Sequence, residues 1–239
     1  MNEITIALIG NPNVGKTVIF NNLTGAKQHV ANWPGVTVEK KTGSYTHRGV
    51  KISVVDLPGT YSLTSNSIDE KIARNFIIEE KPDVVVDIVD GTVLERNLYL
   101  TLLLIELGAN VLVALNMFDA VQQSGIQIDV KKLEELLGIP VIPTIATKNI
   151  GMNELKDKIL ELAKNRVHIK KELIGFSPKI EVIIVKIMKI LKEVAELSKT
   201  YSPRWIAVKI LEEDQEVLEK IPSDIMEKIN EVIENASRN

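Results

Sequence analysis

Residues 4–17 read ITIALIGNPNVGKT, a short apolar run delivered into Gly10-Asn11-Pro12-Asn13-Val14-Gly15-Lys16-Thr17. A helix is expected directly after it, over 16–23. The string G-x-x-x-x-G-K-T between a strand and a helix is a loop built to hold phosphate. Gly10 and Gly15 allow the backbone to curl so that successive N–H groups point at one anion. The start of the helix adds the positive end of its dipole. Lys16 is placed to bridge β- and γ-phosphates, and the Thr17 hydroxyl to ligate Mg²⁺. The flanking strand and helix separate this reading from a chance glycine-rich turn.

Further strand-length runs lie at 52–55, 83–89, 111–115 and 141–145, rich in valine and isoleucine and nearly continuous. Strands buried on both faces of a parallel sheet read this way. Helix-length segments at 68–79, 94–107, 130–137 and 153–165 separate them. The alternation predicts an α/β three-layer sandwich with a mostly parallel sheet. Residues 42–47 followed by Arg48-Gly49 predict an antiparallel hairpin, with one edge strand beside the parallel set.

Composition excludes several classes. The 239 residues contain no cysteine, which removes disulfides, thiol nucleophiles and thiolate-bound metals. A formal net charge of −3 argues against a protein that mainly neutralises nucleic acid. The longest apolar runs are too short or too lysine-broken to cross a bilayer. The N-terminus opens on a strand without a basic flank or cleavage site, so no signal peptide is expected. His29, His47 and His168 are scattered without a second ligand at helical spacing, so no zinc or iron site is expected.

Three more motifs sit at expected strand ends. Asp56-Leu57-Pro58-Gly59 places a carboxylate to hold a Mg²⁺-bound water and an N–H to reach a γ-phosphate. Asn116-Met117-Phe118-Asp119 suits a purine. A carboxylate accepts two hydrogen bonds from the N1–H and exocyclic amine of guanine, and adenine lacks that donor set. Ala146-Thr147-Lys148 offers backbone N–H groups to the guanine oxygen, and Ile145 precedes it where serine is usual. Between the first two motifs, Thr37 in 31–39 is the candidate γ-phosphate-dependent Mg²⁺ ligand. Trp33 there reads either as a cover for a ligand or as a hydrophobic anchor for the loop. Met117 and Met152 flank the base motif.

Together the motifs resemble a TRAFAC-class GTPase domain over residues 1–165. GNPNVGKT, NWPGVTVE, DLPGTYSL and NMFDA are similar to the ferrous iron transport protein B family. The resemblance implies nucleotide contacts at Gly10, Asn11, Pro12, Asn13, Val14, Gly15, Lys16, Thr17 and Val18 in the loop. It adds Gly35, Val36, Thr37, Asp56, Leu57, Pro58, Gly59, Asn116, Met117, Asp119, Ala146, Thr147 and Lys148. Lys16, Thr37 and Gly59 are then the catalytic set, with Thr17, Thr37 and Asp56 on Mg²⁺. Thr60 occupies the position where Ras-like enzymes carry a water-orienting glutamine. The resemblance implies that backbone groups of the loop around 33–37 orient the water instead. It also implies a K⁺ ion held by Asn13, against the plainer reading of Asn13 as a turn residue. A membrane transporter region in cis, the cytoplasmic face of the cell membrane, and nucleotide-dependent self-association are further implications.

From Arg166 onward no buried strand is expected. Ile180, Ile183, Ile184, Ile187, Ile190, Leu191 and Val194 follow helical spacing, and Pro178, Pro203 and Pro222 sit where helices could start. A small all-helical domain over 166–239 is expected, matching the family's second cytosolic domain. Its charges balance, 13 basic against 13 acidic residues. Glu212-Glu213-Asp214 is expected to mark a helix boundary, and Asp69, Glu70, Glu79 and Glu80 a solvated helix face. Two other classes share the phosphate loop. An Era-like GTPase in ribosome assembly or RNA modification predicts a basic second domain with an RNA platform, which the charge balance disfavours. An ATPase or kinase predicts adenine binding, which NMFD disfavours.

Overall fold

Burial along Glu3–Gly10 (β1) explains why the chain begins as a central strand, since almost every residue after Glu3 is enclosed. The structure, a computed structural model, describes residues 3–25, 28–64, 67–165, 175–194 and 201–237. The remaining strands are β2 (Gln28–Asn32), β3 (Glu39–His47), β4 (Val50–Asp56), β5 (Val84–Asp90), β6 (Val111–Asn116) and β7 (Val141–Pro143). They form one sheet in the order β2-β3-β4-β1-β5-β6-β7. β1 pairs in parallel with β4 and β5, and β5–β6 and β6–β7 continue the parallel set. β2–β3 and β3–β4 are antiparallel.

The helices are α1 (Lys16–Thr24), α2 (Ile68–Glu80), α3 (Leu94–Leu107), α4 (Phe118–Gln123), α5 (Val130–Leu137) and α6 (Met152–Lys164). On one face Ile4, Ile6 and Leu8 of β1 and Val84, Val86 and Ile88 of β5 join Phe20 and Leu23 of α1 and Leu155 and Ile159 of α6 in one core. Period-two alternation then turns Val85, Asp87 and Val89 to the opposite face. Met152 lies in the first core.

Three expectations are corrected. The hairpin strand is not an edge, because β2 lies outside it. β3 starts at Glu39 rather than 42, and of the expected loop over 31–39 only Ala31, Asn32 and Glu39 are strand. The last strand stops at Pro143, because the Thr144 N–H bonds Leu115 O and the chain then turns, with Ile145 bridging Ile150. α2 carries the acidic residues, with Glu79 and Glu80 exposed as expected but Asp69 and Glu70 half-buried, and Ser67 caps the helix by accepting from the Glu70 N–H.

The chain divides into two compact units, Met1–Ile105 with Ala109–Lys170, and Glu106–Gly108 with Lys171–Asn239. No feature of the sequence sets residues 106–108 apart. The boundary expected at 166, and His168, fall outside the described residues. In the second unit the described elements are helices, α7 (Pro178–Leu191), α8 (Pro203–Leu211), α9 (Gln215–Leu218) and α10 (Ser223–Ser237). Pro178 and Pro203 occupy first turns, where the missing N–H costs nothing. Pro222 precedes its helix, and its carbonyl accepts from Ile225 and Met226. Ile184, Ile187 and Leu191 form the buried stripe of α7. The Arg204 guanidinium grips Glu181 with two bonds of 2.7 and 2.8 Å, and this contact holds the Glu181 carboxyl down at about 2. Glu212 and Asp214 cap neighbouring helices. No described helix is long and apolar enough to cross a membrane.

Candidate nucleotide site

β1 ends at Gly10, where an added Cβ would stand 2.5 Å from the Ile88 carbonyl oxygen, so only glycine lets the loop leave the sheet here. Gly15 precedes α1 at φ 90°, and its Cβ would collide with the Asn116 amide nitrogen. No side chain caps α1, so the Lys16 and Thr17 N–H groups have no protein partner among the described residues. The result is a cleft of about 280 Å³ lined by Asn11, Pro12, Asn13, Gly15, Lys16, Thr17 and Gly59. Asn13 lies at φ 69° and is exposed, and its amide has no protein partner among the described residues. Val14 is buried beneath the loop, and Val18 is half-buried on α1. A Gly15→Ala variant is expected to lose about 2 kcal/mol or more of stability, because left-handed strain and the collision with Asn116 add. Chemical denaturation against wild type measures it.

The DLPG stretch meets this cleft. Leu57 N–H bonds Leu8 O at 2.9 Å and Thr60 N–H bonds Gly10 O at 3.2 Å, which brings Gly59 to the cleft beside Pro12, where a Cβ on Gly59 would stand 3.6 Å from the Pro12 backbone. Lys16 Nζ is paired with the Asp56 carboxylate. Burial pushes the Asp56 carboxyl up, and the Lys16 ammonium opposes that shift. Thr60 is buried, and its hydroxyl donates to Ser62 O at 2.8 Å.

Asn116 ties the base motif to the phosphate loop. Its Nδ2 donates to Val14 O at 2.8 Å, and its Oδ1 accepts from Ala146 N–H at 3.1 Å and Thr144 Oγ1 at 3.2 Å. One amide hydrogen remains for a ligand. Met117 takes φ 57° and turns the chain into α4. Asp119 Oδ2 meets Lys148 Nζ at 2.8 Å, and that contact holds the Asp119 carboxyl below its ordinary range. Asn22 of α1 donates to Ala146 O at 2.7 Å. The Lys148 N–H is spent on Ile145 O, so of the three only the Thr147 N–H is open. Thr144 and Asn22 thus build the site, although no motif flags them.

Gly35, Val36 and Thr37 lie on the β2–β3 loop and are not among the lining of the phosphate cleft. Thr37 is exposed. Trp33 behaves as an anchor. It is buried, packs edge-on against Phe76 of α2 at 5.6 Å, and Lys40 Nζ stands 4.6 Å over its ring. Its backbone N–H closes the loop on Val38 O at 2.9 Å.

With the geometry fixed, comparison with known proteins decides the family. The family model described as ferrous iron transport protein B matches residues 4–159, and the FeoB cytosolic helical domain model matches 176–239. The chain belongs to the ferrous iron transport protein B family. The Fe(2+) transporter FeoB of Methanocaldococcus jannaschii is 49% identical over 243 residues, covering 100% of this chain and 36% of that protein. The Escherichia coli O157:H7 FeoB is 41% identical over 218 residues, covering 90% of this chain and 27% of its own length. The chain therefore spans between 26% and 36% of the length of the FeoB relatives it matches. The crystal structure of the cytosolic domain of T. maritima FeoB in apo form has a TM-score of 0.85 and 38% identity, covering 99% of this chain and 98% of that one. Its GMPPNP form gives 0.83 at 38% identity, over 98% and 94%. The FeoB G-domain from Methanococcus jannaschii is 57% identical, with a TM-score of 0.62 over 69% of this chain and 100% of that one. The fold is that of a P-loop GTPase followed by the FeoB helical domain.

Proposed function

We propose that residues 1–165 bind and hydrolyse GTP as the switch of a ferrous iron membrane transporter, and that 166–239 form its helical regulatory domain. The observation that carries this is Asn116, whose amide joins the phosphate loop at Val14 to the base loop at Ala146. Structures of T. maritima FeoB in GDP and GMPPNP forms support the nucleotide class. Fe²⁺ is the cargo, carried by a membrane region in cis at the cytoplasmic face.

The donor set fits the expected metals. Thr17 and Asp56 offer hard oxygens to Mg²⁺, and Asn13 offers a free amide oxygen to K⁺. When bound, the two ions stabilise the negative charge that develops as the γ-phosphoryl group leaves. The loop N–H groups and Lys16 hold the phosphates, which requires Lys16 to turn from Asp56 towards the anion. Gly59 N–H takes a γ-phosphate oxygen. The Thr60 hydroxyl, committed to Ser62 O, does not orient the attacking water. That task falls to the backbone of the 33–37 loop, which closes when Thr37 joins the site. GTP hydrolysis is expected to run about ten-fold faster or more in K⁺ than in Na⁺, and Asn13→Ala to erase the difference while keeping GDP. Phosphate release in the two salts measures it. Equal wild-type rates would remove the cation role.

A further inference from the structure

The two sides of α7 differ in kind. Ile184, Ile187 and Leu191 run along the side that meets α8 and α10, and all three are fully enclosed. At 100° per residue, Val182, Val185, Lys186 and Lys189 project from the opposite side. Val182 and Val185 are 55% and 47% exposed, and both lysines are exposed. Lys192, just past the last turn, is exposed as well and continues the row. Val182, Lys186 and Lys189 stand at i, i+4, i+7, and so do Val185, Lys189 and Lys192. The outer face is therefore two valines among three ammonium groups.

Its charge is not cancelled nearby. The one carboxylate of α7, Glu181, is held by the two bonds from Arg204. Glu193 is held by Lys228 of α10 at 2.6 Å. Among the described residues no carboxylate pairs with Lys186, Lys189 or Lys192. Asp224, Glu227 and Glu231 form an exposed row of their own on α10. The positive face is thus a local feature of a chain whose net charge is −3. Its chemistry suits an extended anionic surface. Lysine stems can lie along the valines while their ammonium groups reach anions beyond them. The face carries no arginine or aromatic ring to fork onto phosphate or stack on bases, which disfavours a nucleic acid.

We propose that the Val182–Lys192 face of α7 rests on the headgroups of an anionic lipid bilayer. The choice of lipid rests on the membrane region in cis proposed above. Each lysine brought to such a surface raises the partition by about five-fold, so the three together give roughly 100-fold. Two valines are too small an apolar area to sink the helix, so the contact stays at headgroup level.

Flotation of the GDP-loaded 239-residue chain tests this, with vesicles of phosphatidylcholine alone and of phosphatidylcholine and phosphatidylglycerol in equal parts. Binding to the anionic vesicles is expected to be about ten-fold stronger or more, and to fade as salt is raised. Lys186→Glu combined with Lys189→Glu is expected to lose about ten-fold or more of that binding. Lys131→Glu combined with Lys132→Glu makes the same change of charge on α5, also at exposed positions, and is expected to bind vesicles as wild type does. All these side chains are exposed, so the variants should fold. GDP retention in each sample reports the nucleotide site separately, so vesicle binding lost with GDP kept concerns this face alone. A wild type that floats equally with both compositions, or with neither, overturns the proposal. So does a Lys186→Glu, Lys189→Glu chain that binds as wild type, or an α5 variant that loses as much. A chain that captures poly-glutamate but no vesicle overturns it too, and gives the face to an acidic protein.

Discussion

An Asp119→Asn chain is expected to lose guanine nucleotides and to accept xanthosine nucleotides. In the proposed site the wild-type carboxylate would offer two acceptors to the N1–H and 2-amine of guanine. Asparagine keeps one acceptor and turns an N–H₂ donor towards the amine, so two donors face each other with no water to separate them. Xanthine carries an oxygen at that position and restores the match. A site built around paired buried hydrogen bonds rejects the mismatched partner by roughly 10³- to 10⁵-fold. Lys148 loses its 2.8 Å partner in the variant, but Lys148 is exposed, so the fold should be almost unaffected. Lys148 also holds the Asp119 carboxyl below the usual range, so the wild type should keep its guanine preference into mildly acid solution. Competition of GDP and XDP for a fluorescent nucleotide measures the change. An unchanged GDP affinity would mean that Asp119 does not meet the base.

How much of this was legible in the sequence depends on how local the cause is. The phosphate loop announces itself because its two glycines are forced, one by the Ile88 carbonyl and one by left-handed backbone against Asn116. The stripe Ile184, Ile187, Leu191 reveals α7, because a helix with one dry face must repeat at that period. β2 gave no such signal. A period-two pattern requires one buried face, and all five of its residues are in water. Trp33 stayed ambiguous because its partner, Phe76, comes from a distant helix. The wider role of Asn116 was hidden for the same reason. A motif can name a residue that faces a base, but its bonds to Val14, Thr144 and Ala146 depend on three separate segments meeting.

The second large effect concerns a carboxyl outside the nucleotide site. Asp87 lies mid-way along β5, fully enclosed, and accepts a 2.6 Å bond from the Thr101 hydroxyl of α3. Burial pushes its carboxyl up to about 7, and the Thr101 bond only partly opposes this. The folded chain therefore holds a proton that the unfolded chain releases near the ordinary value of 3.8. Stability from this group is fully present below that ordinary value. It falls by up to about 1.4 kcal/mol per pH unit in between, and is lost once the pH has risen through about 7. Asp87→Asn keeps an acceptor for Thr101 and cannot ionise. Its urea midpoint, measured with saturating GDP, is expected to fall less than wild type's between about pH 5 and pH 8. It should exceed wild type's at the upper end. Thr101→Val removes the bond that favours the charged form, so the decline should extend to higher pH. An Asp87→Asn chain that tracked wild type across that range would show that the carboxyl is ionised in the folded state. The interior would then have to supply a compensating donor other than Thr101.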